Sequence, residues 1–62
     1  MFNKLIEKAK YSIESHSRDL VYETYGMAKM AYGLKAISFS EYMTLNKMLI
    51  VDGINNPKCK LD

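Results

Sequence analysis

The spacing of apolar residues from Phe2 to Leu34 leaves this chain few folds other than helical ones. Phe2, Leu5, Ile6, Ala9, Ile13, Leu20, Met27, Ala31 and Leu34 follow one another in steps dominated by three, four and seven. That is the period of an α-helix. Asn3 suits an N-cap for the first turn. Ser15-His16-Ser17 can be read in two ways. The serines can end one helix and cap the next, with Asp19 favourable in the new first turn. Alternatively, since no glycine or proline breaks the chain here, the seven-residue step from Ile13 to Leu20 keeps the apolar face in register. The second reading is favoured: one long, bent helix over residues 4–32, with two helices broken near 15–17 as the alternative.

The far end of this segment is marked by Gly33, which suits the left-handed position after a helix, with Leu34 folding back onto Ala28. Ser38-Phe39-Ser40-Glu41 matches a capping box, flanked by Ile37 and Tyr42 at the hydrophobic-staple positions. A helix over residues 39–52 is expected, with Tyr42, Leu45, Met48 and Leu49 on one face and Gly53-Ile54 as its stop. Asn55-Asn56-Pro57 cannot continue it. The expected fold is all-α, a helical hairpin or small three-helix bundle with a long first helix. Residues 1–54 form one domain, and residues 55–62 form a flexible polar tail.

A core drawn from 62 residues is small, because a domain of about 60 residues hides only about 60% of its unfolded surface. Cys59 is the single cysteine, so no internal disulfide can reinforce the fold. His16 and Cys59 are the only soft metal ligands and are far apart in sequence. No metal or cofactor is expected, and the remaining source of stability is a partner surface. A lone thiol fits a reducing compartment. No apolar run approaches the roughly 18 residues of a membrane span, and Glu7, Lys8 and Lys10 interrupt any signal-like start. The expected location is the cytoplasm, with no membrane contact.

No catalytic constellation emerges. Ser12, His16 and Asp19 can be written as a trio, but nothing supplies a pocket or an oxyanion hole. His16 is read as solvated or capping. Cys59, between Lys58 and Lys60, is read as an incidental surface thiol. Ala28, Gly33 and Ser38 loosely resemble a helix-turn-helix, but the turn is too long, and the second helix would offer Glu41 and Asp52 to the bases. Non-specific single-stranded nucleic-acid binding is the alternative function. Lys4, Lys8, Lys10, Lys58 and Lys60 would meet phosphates, and the five tyrosines would stack bases. The net charge of +2 is low for a strong binder of this kind.

The clearest functional signal lies between Leu20 and Leu34. Leu20, Met27, Ala31 and Leu34 make one apolar stripe, Val21, Tyr25, Ala28 and Tyr32 a second, and Tyr22 and Met30 fall near the remaining side. A helix apolar nearly all round needs cover on several sides. A compact three-helix monomer would supply it internally; otherwise a second copy or a larger protein must. Tyrosine and methionine are also common in interface cores. The partner-binding residues expected are Arg18, Tyr22, Tyr25, Met27, Lys29, Met30 and Tyr32, with Arg18 and Lys29 at the rim. The expected function is that of a non-catalytic helical adaptor on a larger protein, with a structural homodimer as a further alternative.

The stretch from Arg18 to Ala28, with Ala36-Ile37-Ser38 and the run from Asp52 to Pro57, resembles small open reading frames of Gram-positive phages and mobile elements, the staphylococcal kind especially. That resemblance implies an accessory subunit or inhibitor of an enzyme of DNA replication or processing. It assigns no functional residues.

Overall fold

A computed structural model describes residues 1–51 and 59–61. Three helices pack into a small bundle: α1, Phe2–Glu14; α2, Arg18–Gly33; and α3, Phe39–Leu49. Each packs against the other two. The long first helix is therefore replaced by two. The chain turns at His16, whose φ of 52° is left-handed. The Ser17 amide donates to the Ser12 carbonyl (3.1 Å) and the His16 amide to that of Ile13 (3.1 Å). Together these form a Schellman motif, which satisfies the last carbonyls of α1. Ser15 Oγ donates to the Tyr11 carbonyl, and Ser17 Oγ accepts from the Leu20 amide (3.3 Å) to open α2, with Asp19 in its first turn. Serine side chains compete well for backbone groups. Here two of them end one helix and start another without a glycine, although the apolar register runs straight across.

The α2 terminus repeats the device. Gly33 is the last helical residue and has no positive φ, so it is not the left-handed cap. Lys35 holds that position at φ 61°. The Ala36 amide donates to the Ala31 carbonyl (2.8 Å) and the Lys35 amide to that of Tyr32 (3.0 Å). Leu34 does not fold back onto Ala28 and stays exposed. At the other end of the chain, α1 starts at Phe2 with Met1 as its N-cap, so Asn3 lies inside the first turn.

The capping box of α3 forms as the sequence predicts. Ser38 Oγ accepts from the Glu41 amide (3.1 Å), and Glu41 Oε1 accepts from the Ser38 amide (2.8 Å). A cap of this kind is worth about 1 kcal/mol. Ile37 is buried beside it, and Tyr42 packs on the core. The helix ends at Leu49, before the expected residue 52, because Ile50 is extended (φ −124°, ψ 138°) and pairs antiparallel with Cys59. The expected Gly53-Ile54 stop lies outside the described residues.

Small side chains dominate the core. Ala9, Ala28, Ala31, Val21 and Cys59 sit among Leu5, Ile37, Leu45, Leu49 and Ile50. Ser12 and Thr24 are also fully buried. Their hydroxyls donate to the carbonyls of Ala9 (2.7 Å) and Leu20 (2.7 Å), so neither is left unsatisfied. The bundle measures 29 × 25 × 15 Å. Three helices are too few to enclose any one of them. Every helix therefore keeps a broad outer face in water.

Residues 59–61 are built into this core, contrary to the expected surface position of the Cys59 thiol. Cys59 is fully buried. Its amide donates to Tyr22 Oη (3.2 Å). The Lys60 amide donates to the Leu49 carbonyl (2.8 Å), and Leu61 packs on the core. An apolar thiol and a leucine found room where α2 and α3 leave a gap, which a count of polar neighbours in sequence does not register.

Candidate docking surface

The candidate surface begins on α2. Val21, Thr24, Ala28 and Ala31 face inward. The two expected apolar stripes are each split by this rotation. Met27 and Leu34 of the first stripe, and Tyr32 of the second, remain exposed. The fold-back of α1 covers part of α2, as a compact three-helix arrangement requires, but Tyr22, Met27, Met30 and Tyr32 stay exposed.

The seven residues expected to bind a partner therefore divide. Arg18 and Lys29 are exposed, as a rim requires. Met27 and Met30 are exposed side chains of α2. Tyr22 is exposed on its flank, but its hydroxyl is occupied by the Cys59 amide. Tyr25 is half-buried against the core, with Tyr42 as a neighbour. Burial raises its phenol pKa above the ordinary 10.0, and the neighbouring Tyr42 phenol acts in the same direction. Tyr25 is thus a packing residue rather than a free contact. Tyr32 stacks on Tyr42, rings nearly parallel at 3° with centroids 4.9 Å apart, and tilts against Phe39 at 5.8 Å. This aromatic group ties the end of α2 to the start of α3 while leaving one edge in water.

The structure adds residues that sequence reasoning missed. Leu34, Phe39 and Val51 are 74%, 59% and 67% exposed, and Met43 is exposed beside them. Phe39, Tyr42, Met43, Asn46, Lys47, Ile50 and Val51 line a groove of about 440 Å³. Asn46 Oδ1 is buried there without a hydrogen-bond partner. A signal for this was present. Phe39 and Met43 stand four residues apart on a second side of α3, away from Leu45 and Leu49, so this helix too carries more apolar residues than one contact face uses.

The described lysines of the nucleic-acid alternative fall in different settings. Lys8 pairs with Glu23 (3.3 Å). Lys4 is exposed on α1. Lys10 and Lys60 flank a separate hollow of about 270 Å³ with Ile13, Glu14 and Met48. Lys60 Nζ also donates to the Lys47 carbonyl (3.2 Å). Lys58 lies outside the described residues. Among the described residues, no three His, Cys, Asp or Glu side chains group as a metal site would need, and no helix is long and apolar enough to cross a membrane.

No protein-family model matches the chain, no curated protein matches it in sequence, and no solved structure matches its fold. The functional reading therefore rests on the residues and their geometry.

Proposed function

We propose that this protein is a non-catalytic helical adaptor that docks on a larger protein. The carrying observation is the set of large apolar side chains left on the surface, among them Met30 at 68% exposure with Leu34, Phe39, Met43 and Val51. An apolar face on so small a bundle is a cost that a partner's surface removes. Methionine and aromatic residues make that face adaptable as well as apolar. The resemblance to small proteins of phages and mobile elements supplies a class of partner, an enzyme acting on DNA, with the adaptor as accessory subunit or inhibitor.

The test is affinity capture from the native cytosol, with quantitative mass spectrometry, using the intact chain and the double variant Met30→Ser/Phe39→Ser. Both side chains are exposed, so circular dichroism of the variant should match that of the parent. Loss of hot-spot contacts costs about 2 kcal/mol or more, roughly a thirty-fold loss of affinity. A captured protein that falls away with the double variant supports the adaptor. Capture that is indifferent to both substitutions, or steeply salt-dependent binding of an oligonucleotide instead, overturns it.

A further inference from the structure

From the groove on α3 we infer the chemistry of the partner segment: a short amphipathic stretch of a protein, apolar side chains flanked by carboxylates. This rests on the adaptor reading and deepens it.

Three features of the groove point the same way. Its walls, Phe39, Tyr42, Met43, Ile50 and Val51, are apolar or aromatic, and about 440 Å³ holds two or three side chains rather than a whole domain face. Pockets of this kind take most of their affinity from apolar contact and their orientation from a few polar groups. The second feature is Asn46 Oδ1, buried and unpartnered in the lining. Asn46 thus places one amide group among the apolar walls, a polar group of the kind that orients a bound segment.

The third feature is charge. Lys47 is the one charged residue in the lining. The Lys60 ammonium lies against the Lys47 backbone at 3.2 Å, so two cations stand at the same end of α3. Among the described residues, neither forms an ion pair with a carboxylate. Glu41, the acidic residue of α3 itself, does not line the groove; its carboxylate accepts from the Ser38 amide in the capping box. An incoming acidic group thus meets the charge of Lys47 in the lining, whereas a basic one is repelled. Complementary charge of this type fixes register and partner choice more than raw affinity.

The experiment is selection of a phage-displayed random dodecapeptide library against the immobilised full chain, followed by fluorescence anisotropy with the enriched peptides. The expected result is enrichment of peptides with two or more large apolar residues next to Asp or Glu. Their affinity should fall at least ten-fold in Lys47→Glu and in Val51→Ser, and should weaken as salt is raised. Exchanging the peptide's acids for lysine should recover binding to Lys47→Glu. Lys47 is exposed, so this variant keeps the fold, and its circular dichroism checks that. Enriched peptides without acids, binding unchanged in Lys47→Glu, or no enrichment at all each overturn the inference. The adaptor reading fails separately. If capture from cytosol still depends on Met30 and Phe39 while Lys47→Glu has no effect, the adaptor stands and this assignment of its partner falls.

Discussion

Two substitutions around the α2 terminus separate the observed turn from the one the sequence suggests. Gly33 ends α2 with a negative φ, and a Cβ built on it meets nothing within 4 Å. Alanine there should stabilise the protein. The helix-interior difference is about 1 kcal/mol, and roughly half of it should survive in a last turn that frays. Lys35 carries the left-handed φ of 61°. That conformation costs an L-residue about 1–2 kcal/mol, and glycine removes the cost while losing about 0.4–1 kcal/mol through the freer unfolded chain. Lys35→Gly should therefore gain about 0.5–1 kcal/mol. Thermal unfolding followed by far-ultraviolet circular dichroism reads both. For a domain of this size, 1 kcal/mol corresponds to about 4–8 °C in Tm. The double variant should melt several degrees above the parent, and each single variant should contribute with the same sign. If Gly33 itself held the left-handed position, Gly33→Ala would instead lower Tm, and that result would refute the register described for this turn.

Two further outcomes follow from the tyrosines. The phenol of Tyr25 has its pKa raised on folding, so the folded state holds the proton longer than the unfolded chain does. Its contribution is complete below the unfolded value near 10.0 and is lost as pH rises through the folded value. Tyr25→Phe should flatten the loss of stability in urea titrations above that pH, and an unchanged alkaline slope would show that another group controls it. The buried Cys59 thiol should react with Ellman's reagent far more slowly than a free cysteine. Tyr22→Phe, which removes the acceptor for the Cys59 amide, should speed that reaction several-fold without unfolding the bundle, whereas fast labelling of the parent protein would mean that this segment does not dock.

Local signals with a single physical reading survived into the structure. Ser38 and Glu41 bond each other's amides wherever that spacing opens a helix, so the start of α3 was legible, as was the all-helical class. The break at His16 was misread in favour of one long helix, because apolar period and serine capping pointed in opposite directions and only the tertiary gain of folding α1 back tips the balance. Gly33 misled for a related reason: glycine is the usual left-handed residue, yet Lys35 takes the position, from which its own amide and that of Ala36 reach the carbonyls of Tyr32 and Ala31. The α2 side of the candidate surface was anticipated at Met27, Met30 and Tyr32. Tyr25 was indistinguishable from them in sequence, since whether a tyrosine faces α3 or water depends on the rotation of α2 about its axis. The α3 groove was visible only as an excess of apolar residues without an assigned face.

The bond between the Cys59 amide and the Tyr22 hydroxyl spans 37 residues, in a fold whose other polar contacts are mostly local. Helices with short connections assemble fast, and distant contacts bear the loop-closure cost last. The closing segment should therefore be the final piece to arrive during folding and the first to exchange its amide hydrogens in the native state. While it is away, Leu49 and Ile50 lose a neighbour, and the end of α3, where the groove lies, is the part of the molecule free to adjust its shape.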